Sequence, residues 1–172
     1  MRLDDAHSIA DLRRLAQRRL PRGVFDFFDG GADDEHTLRD NVDALARRRL
    51  RPRVLVDVGG VDLSTTIVGG PSAAPLVIAP TGAIGAGWPQ ADLLVARAAA
   101  ALGIPYTLST TATSSIEQIA RGAGGRLWFQ LYVLRDRAFT DALVRRAAAA
   151  GFEGLVVTLD LVTGGKRERD MR

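Results

Sequence analysis

Four short apolar segments in the second part of the chain recur at nearly even intervals, and they constrain the fold more than any other feature. The segments are LVIAP at 76–80, IPYTLST at 104–110, LWFQLYV at 127–133 and GLVVTLD at 154–160. Their apolar residues are not confined to one face, which is typical of strands in a parallel sheet covered on both sides. The stretches between them, such as ADLLVARAAAALG, have a helical pattern. The sequence therefore predicts a βα repeat of four strands.

Two architectures fit such a repeat, a doubly wound open sheet and a (β/α)8 barrel. A nucleotide-binding open sheet usually carries G-x-G-x-x-G in its first βα turn, but here that turn reads APTGAIGAGWPQAD, with a different glycine spacing. We therefore expect an α/β fold with N-terminal helices and the first four βα units of a TIM (β/α)8 barrel. A complete barrel of about 250 residues has eight units, so we expect a half barrel that stops after strand four.

The residues before the repeat have a different organisation. We expect residues 1–74 to form an N-terminal helical segment with short strands, and residues 75–172 to form the first half of the (β/α)8 barrel, truncated after strand four. Residues 8–20 predict a helix capped by Ser8. Two further helices are predicted on either side of Gly30 and Gly31, where glycine permits positive φ. VLVDVGGVDLSTTIVGG predicts a hairpin-like pair of strands.

Composition argues against several classes of protein. The chain has no cysteine, which excludes disulfides and thiolate metal sites, and its two histidines argue against a metal site built from several histidines. The net charge is +3, but the basic residues are mixed with acidic ones, so we expect no nucleic-acid partner. No apolar run reaches the roughly 20 residues that cross a bilayer. We expect a cytoplasmic protein without a metal.

Polar side chains follow each predicted strand, where the site of a barrel is built. Four of them are neutral donors and acceptors, namely Thr81, Ser109, Gln130 and Thr158. Such groups suit the edge of a flat heterocycle better than a metal or a phosphate. Any single one could instead cap a loop or a helix. Tyr132 points to the same side as Gln130, and it is either a ligand for a substrate oxygen or a core tyrosine.

The segment GGKRERD near the end of the chain contains Arg167. After a glycine pair that lets the backbone turn, an arginine can bind a carboxylate through two parallel hydrogen bonds. The alternative is an ordinary solvated loop. No general base is apparent, because His7 and His36 both lie outside the repeat.

Several long segments carry a resemblance that runs almost from end to end. They are FDFFDGGADDEHTLRDN, LRPRVLVDV, STTIVGG, IAPTG, TLSTTATSSIEQIA, WFQLYV, RAAAAGFEGLVVTLD and GKRERD, in this order. Together they resemble the FMN-dependent 2-hydroxy acid dehydrogenases and oxidases, the family of glycolate oxidase, L-lactate dehydrogenase and mandelate dehydrogenase.

The resemblance implies a (β/α)8 barrel that holds FMN at the carboxyl ends of its strands. It implies oxidation of a 2-hydroxy acid, of the L-lactate, mandelate or glycolate type, to the 2-keto acid. It also implies that Thr81 and Gly82 lie against the flavin ring. Ser109, Gln130 and Thr158 would hydrogen-bond the isoalloxazine or ribityl groups of FMN.

For the substrate, the resemblance implies that Tyr132 contacts the reacting oxygen, as the catalytic residue of this chain, and that Arg167 lies beside the carboxylate. Phe27 stands where the family usually has a tyrosine that binds the carboxylate, so we expect weaker or differently arranged anchoring. PQAD at 89–92 replaces a more usual Gly-Glu pair.

The family's catalytic histidine, flavin-binding lysine and second substrate arginine belong to strands five to eight. We therefore expect this chain to be inactive alone, with the missing C-terminal half of the barrel and other copies of itself as partners. Membrane contact is expected only through the loop after strand four, peripheral to the inner membrane in the full-length form. The alternative is a non-catalytic half-barrel that serves as a binding or assembly module.

Overall fold

The computed structural model describes residues 3–161 and 163–171. The chain divides into two compact units, one formed by residues 1–56 with 163–172, and the other by residues 57–162. Within the described residues, none of the helices is long and apolar enough to cross a lipid bilayer.

The first unit is helical. Its three α-helices are α1 (Ile9–Arg19), α2 (Arg22–Asp29) and α3 (His36–Ala46), and short 3₁₀ turns span Leu3–Asp5 and Glu168–Met171. The predicted cap of α1 is confirmed, because Oγ of Ser8 accepts a hydrogen bond from the backbone N–H of Asp11 at 3.1 Å. This bond satisfies one of the amides that a helix start leaves without an intrahelical acceptor.

The break between α2 and α3 differs from the prediction. Gly30 has φ −84°, and the left-handed residues are Asp33 (φ 49°) and Glu35 (φ 57°) instead. The glycine pair therefore does not use the positive φ that glycine permits. Gly30 is required for another reason, because a Cβ atom there would lie 2.6 Å from the carbonyl oxygen of Asp26. The close approach of the chain to the end of α2 leaves no room for a side chain.

The second unit begins with a hairpin. Strands β1 (Thr65–Ile67) and β2 (Gly70–Ser72) pair antiparallel, which confirms the predicted hairpin. Val68 (φ 46°) and Gly69 (φ 73°) form its two-residue turn, and positive φ at both positions is the geometry that matches strand twist. The guanidinium of Arg126 donates to the carbonyl oxygens of Ile67 at 3.0 Å and Pro71 at 3.2 Å. Arg126 thus ties the hairpin to the start of the next sheet.

That sheet is parallel, with β3 (Tyr106–Leu108), β4 (Leu127–Tyr132) and β5 (Gly154–Thr158) side by side in this order. Helices alternate with the strands: α4 (Ala91–Ala101), α5 (Ile116–Gly122) and α6 (Arg137–Ala149), with a 3₁₀ turn at Ile84–Ala86 before them. Ser115 caps α5 in a reciprocal pair with Gln118. Alternating strands and helices confirm the predicted βα repeat, and in the described residues the sheet does not close, as expected for part of a barrel.

The first predicted strand, at residues 76–80, is reduced to one bridge. Ile78 pairs in parallel with Tyr106, and its N–H donates to the carbonyl oxygen of Pro105 at 2.9 Å. Pro75 and Pro80 flank it, and a proline has no N–H to donate to a ladder. The segment therefore lies beside β3, as predicted for the first strand of the repeat, but without a ladder of its own.

The two faces of the sheet have different roles. Leu108, Phe129 and Leu131 point toward the helices and are 1%, 2% and 4% exposed, and Phe152 meets the ring of Phe129 edge to face at 6.4 Å. Side chains alternate along a strand, so Ser109, Gln130 and Thr158 share the opposite face. The helix-facing side supplies the core, which leaves the polar side chains of the other face available to a ligand.

Strand β5 departs from this pattern. Leu155 and Val157 are on the helix-facing side, yet they are 47% and 41% exposed. On the adjoining β4, the equivalent Phe129 and Leu131 are buried under α5 and α6. In the described part of the chain, nothing covers the outer face of β5.

Candidate functional site

Gln130 is the centre of a hydrogen-bonded group at the carboxyl ends of the strands. Its side chain is 2% exposed. Oε1 accepts from the backbone N–H of Thr110 at 2.9 Å and from Oγ of Ser109 at 3.3 Å. Nε2 donates to Oγ1 of Thr158 at 2.8 Å. We call Ser109, Thr110, Gln130 and Thr158 the Gln130 cluster, and it joins three of the four residues predicted at the strand ends.

The orientation of the Gln130 amide follows from its partners. A backbone N–H only donates, so the atom that faces Thr110 must be the amide oxygen, and the NH₂ group must face Thr158. Once Oγ1 of Thr158 has accepted this bond, its own hydroxyl hydrogen remains to be donated. The second Nε2 hydrogen likewise has no acceptor among the described residues. The Gln130 cluster therefore offers an N–H and an O–H donor on the face of the sheet away from the helices.

Thr110 is a member of the cluster that the sequence did not single out. Its hydroxyl donates to the carbonyl oxygen of Gln130 at 2.6 Å and accepts from the N–H of Tyr132 at 3.1 Å. Beyond the end of β3, the Thr110 side chain thus takes the place of a backbone group and adds one more pair of hydrogen bonds to the β3–β4 ladder. The only sequence signal was the run of hydroxyl residues STTATSS after β3, in which no position stands out.

Gly82 lies in the loop that follows the predicted first strand. A Cβ atom on Gly82 would overlap Oγ1 of Thr111, which is hydrogen-bonded to Oγ of Ser109 at 3.1 Å. Only glycine therefore allows this loop to approach the Gln130 cluster so closely. Thr81 is exposed, and its hydroxyl donates to the nearby carbonyl oxygen of Ala79 at 3.5 Å. In the described residues no bond joins its side chain to the cluster.

Tyr132 is half-buried at the end of β4 and is the register partner of Thr158 on β5. Alternation along the strand places its ring on the same side as Gln130, as the sequence predicted. The Tyr132 hydroxyl therefore lies on the donor face of the sheet. Its role toward a substrate stays a prediction.

Two further predicted residues, Phe27 and Arg167, meet in the helical unit. The guanidinium of Arg167 lies 5.2 Å from the centre of the Phe27 ring and donates to the carbonyl oxygen of Phe27. Its Nε donates to Asp170 at 2.7 Å. Arg167 thus sits at the carboxyl end of α2, where the helix dipole favours a positive charge. These contacts are all with groups of the protein, and the predicted contact between Arg167 and a substrate carboxylate stays a prediction.

Arg169, which the sequence did not indicate, pairs with several acids of this unit. It forms ion pairs with Asp29 at 2.8 Å and Glu35 at 2.7 Å. The Arg169 guanidinium lowers the pKa of the Glu35 carboxyl, and the Arg13 guanidinium, followed by Arg169, lowers the pKa of Asp29. These pairs connect the end of α2 and the start of α3 to the 3₁₀ turn at Glu168–Met171.

A parallel βα sheet with neutral donors at the carboxyl ends of its strands is the arrangement of a cofactor-binding (β/α)8 barrel. The chain belongs to the FMN-dependent dehydrogenase family, which it matches over residues 16–172. It is 44% identical over 164 residues to (S)-mandelate dehydrogenase of Pseudomonas putida, covering 95% of this chain and 42% of that protein. It is 47% identical over 163 residues to L-lactate dehydrogenase of Caulobacter vibrioides, covering 95% and 43%.

The same fold is found in a solved structure. A soluble mutant of the membrane-associated (S)-mandelate dehydrogenase from Pseudomonas putida superposes with a TM-score of 0.91 and 44% identity, over 97% of this chain and 48% of that chain. The chain therefore spans less than half the length of the relatives that it matches. These findings confirm the predicted family and the partial-barrel fold.

The donor set of the site fits the cofactor of this family, FMN. The flavin ring carries carbonyl oxygens and ring nitrogens at its edge, and the Gln130 cluster presents uncharged N–H and O–H donors. Gly82 lies against Thr111 and Ser109 without a side chain of its own, and a bare backbone beside the cluster suits a flat ring. Gln130, Thr158, Ser109 and Gly82 are therefore the residues of this chain that would hold the flavin.

Proposed function

We propose that this chain supplies the flavin-contacting strands of an FMN-dependent 2-hydroxy acid dehydrogenase. The observation that carries the proposal is the Gln130 cluster, a buried amide whose oxygen is held by Thr110 and whose NH₂ group is shared with Thr158. A buried amide fixed at both ends presents its remaining hydrogen in one direction. Such preorganised donors suit a cofactor that must be held in one orientation.

FMN, when bound, supplies the two-electron acceptor for oxidation of a 2-hydroxy acid. The Gln130 cluster orients the flavin edge, and Gly82 with Thr81 forms the wall beside it. Tyr132 is proposed to hydrogen-bond the substrate oxygen at the reacting carbon. In this assignment the chain's own residues bind and orient, and none of them removes the proton from the substrate hydroxyl.

The substrate is proposed to be a small 2-hydroxy acid, the class to which mandelate and lactate, named in the matching relatives, belong. Arg167 is proposed to bind its carboxylate, since a guanidinium matches the two oxygens of that group. Phe27 beside it has no hydroxyl to share the task. We therefore infer that the carboxylate is anchored mainly by arginine, which favours substrates that gain affinity from the rest of their side chain.

The 172-residue chain alone is proposed not to turn over substrate. A general base must reach the substrate hydroxyl, and His7 and His36, the histidines of the chain, both belong to the helical unit and not to the βα repeat. The remaining strands of a barrel would supply the base. The test is an assay of the purified chain with added FMN, a dye acceptor and L-lactate or (S)-mandelate. Turnover above the free-FMN blank would overturn this part of the proposal.

FMN binding is tested by titrating FMN with the chain and following flavin fluorescence. We expect saturable quenching with the wild-type protein and, for Thr158→Val, an affinity about tenfold weaker, because one oriented donor is lost. Thr66→Val, an exposed threonine of β1, is the matched control and should bind like wild type. A wild-type chain that leaves FMN fluorescence unchanged at high micromolar concentration would contradict the binding proposal.

A second candidate function, a half-barrel assembly module, is favoured by the uncovered outer face of β5. Leu155 and Val157 remain 47% and 41% exposed on a face that is buried on the neighbouring strand. An apolar face beside an open strand edge favours association with another copy or with a complementary half barrel. Light scattering after size exclusion decides: a defined oligomer that Val157→Glu converts to monomer supports assembly, whereas a wild-type monomer over a wide concentration range contradicts it.

A further inference from the structure

Asp92 is a completely buried acid for which neither the strand-end pattern nor the Gln130 cluster provides a role. It lies in the first turn of α4 and is 0% exposed. Burying a carboxylate is costly unless donors meet its charge. Here the donors come from one place, the loop between β3 and α5. Oδ2 accepts from the N–H groups of Thr113 and Ser114, each at 3.1 Å, and from Oγ1 of Thr113 at 2.5 Å.

The other oxygen of Asp92 makes the carboxylate depend more strongly on the donors of the β3–α5 loop. Oδ1 has no hydrogen-bond partner among the described residues. The buried Tyr106 lies close by, and burial, followed by the negative charge of Asp92, raises the pKa of its hydroxyl far above the usual value. The hydrogen bonds that meet the buried acid by geometry are therefore the three from Thr113 and Ser114 to Oδ2, and the Tyr106 hydroxyl is a further polar group that interacts with the carboxylate. Breaking any of these bonds would leave a buried acceptor less satisfied and would cost free energy. The three bonds therefore hold the β3–α5 loop against α4.

The hydroxyl of Thr113 carries this restraint to a second loop. Oδ2 of Asp92 already accepts from two backbone N–H groups and is therefore an acceptor, so the Thr113 hydroxyl donates its one hydrogen to it. Its lone pairs are then directed to the other side, where the backbone N–H of Gly85 donates to Oγ1 at 3.1 Å. Two hydrogen bonds in series thus lead from the Gly85 N–H through the Thr113 hydroxyl to Asp92. The acid at the end of the series determines their direction.

Gly85 belongs to the loop at residues 81–87, which includes Gly82 and lies beside the Gln130 cluster. A Cβ atom on Gly85 would overlap the hydroxyl of Thr113, so the loop and the threonine are in the closest contact that a backbone allows. A second hydrogen bond joins the same two loops, from the N–H of Ala83 to the carbonyl oxygen of Thr111 at 3.0 Å. The position of the 81–87 loop therefore depends on the β3–α5 loop, which Asp92 holds.

We propose that Asp92 is a positioning residue that acts through the Thr113 hydroxyl to hold the 81–87 loop in place as one wall of the cofactor site. Asp92 does not touch the ligand in this assignment. It orients Thr113, and Thr113 holds Gly85. The part of the proposal that concerns FMN rests on the proposed function, whereas the part that concerns the loop does not.

The loop is tested on the full 172-residue chain without cofactor, by hydrogen exchange of peptides that cover residues 82–88. Thr113→Val removes the hydroxyl and keeps the shape, and we expect exchange in this loop to become about tenfold faster or more. Asp92→Leu, which removes the acceptor, should act in the same direction. Thr113→Ser keeps the hydroxyl and should restore protection. Thr66→Val, at an exposed position of β1, should leave it unchanged.

The cofactor consequence is tested by FMN fluorescence titration of the same proteins. We expect Thr113→Val to weaken FMN binding by about tenfold and Thr113→Ser to bind within about twofold of wild type. Equal protection of residues 82–88 in wild type and Thr113→Val would overturn the proposal. Equal loss in Thr113→Ser and Thr113→Val would overturn it as well, because the methyl group rather than the hydroxyl would then be responsible. If wild type binds no FMN, the proposed function fails, and the exchange experiment still decides the role of Asp92.

Discussion

Nε2 of Gln130 on β4 donates a hydrogen bond to Oγ1 of Thr158 on β5, 2.8 Å away. The strand register pairs Gln130 with Val156, so this bond runs diagonally, one step toward the carboxyl ends of the strands. On the opposite side, the same amide accepts from the N–H of Thr110, just after β3. One side chain thus links three consecutive strand ends at the level where a barrel enzyme binds its ligands.

Replacement of Gln130 by leucine should lower the free energy of unfolding by about 3 kcal/mol, because the half-buried N–H of Thr110 loses its acceptor along with the other bonds of the amide. Urea denaturation followed by tryptophan fluorescence measures the change, since Trp128 lies on the same strand. Gln17→Leu on the exposed side of α1 makes the same chemical change and should stay within about 0.5 kcal/mol of wild type. Equal stability of the two variants would contradict the central place of Gln130.

Gly82→Ala should destabilise the protein by about 1 to 3 kcal/mol, because the added Cβ overlaps the hydroxyl of Thr111. Thr111→Ala removes that hydroxyl, so the double variant should recover a large part of the loss. The difference between the double variant and the sum of the single ones measures the contact directly. Gly60→Ala has open space around the new Cβ and serves as the control. Additive effects of Gly82→Ala and Thr111→Ala would show that the overlap is relieved in another way.

The helical unit should lose stability in acid. In the folded state the pKa values of Asp29 and Glu35 lie below their ordinary values of 3.8 and 4.5, because Arg13 and Arg169 stabilise the charged forms. Stabilisation of this sign is fully present above the ordinary pKa and is lost as the pH falls through the lowered ones. We therefore expect the urea concentration at the unfolding midpoint, followed by circular dichroism at 222 nm, to decrease when the pH is lowered below 4.5.

Arg169→Gln distinguishes this network from general acid sensitivity. The variant should be less stable than wild type at pH 7 and should lose less on acidification, because part of the titrating stabilisation is already gone. Arg18→Gln, an exposed arginine in the last turn of α1, is the matched control. A pH profile of Arg169→Gln that runs parallel to that of wild type would exclude the network as the cause.

Glu117 on α5 should titrate with a pKa of about 2, lowered first by its hydrogen bonds with Arg146 on α6. Its contribution to stability is present above the ordinary glutamate value of 4.5 and is lost as the pH falls toward 2. Carbon-detected NMR titration of the glutamate carboxyls measures this value. Arg146→Met should return the pKa toward 4.5, and an unchanged pKa in that variant would assign the shift to another group.

Most of the fold was predictable because it depends on local patterns. Apolar runs with helices between them predicted β3, β4 and β5 and their order, since βα units place successive parallel strands side by side. Ser8 was recognisable as a cap, because a hydroxyl before a helical run has a local backbone partner. The segment around Ile78 was predicted as a strand but forms one bridge, since its prolines remove ladder donors that hydrophobicity alone does not reveal.

The candidate site was predictable only in part. Ser109, Gln130 and Thr158 were found from their positions at strand ends, and Gly82 from the resemblance, and these residues do lie together. Thr110, Asp92 and Arg169 were not found. Each acts on residues that are distant in sequence, so neither periodicity nor spacing marks it out. Thr110 looks like its neighbours in a hydroxyl-rich loop, and Arg169 looks like its neighbours in a charged segment.

By itself, the sequence of this protein determined the strand and helix types, the faces of the strands and the family, because these follow from short-range periodicity and contiguous motifs. Only the tertiary structure decided which way the Gln130 amide points, that Asp92 holds a distant loop through Thr113, and that Arg167 lies against Phe27. The physical reason is that hydrogen bonds and ion pairs are directional and short-ranged. Their partners are chosen by the three-dimensional path of the chain, which brings together residues that the sequence keeps far apart.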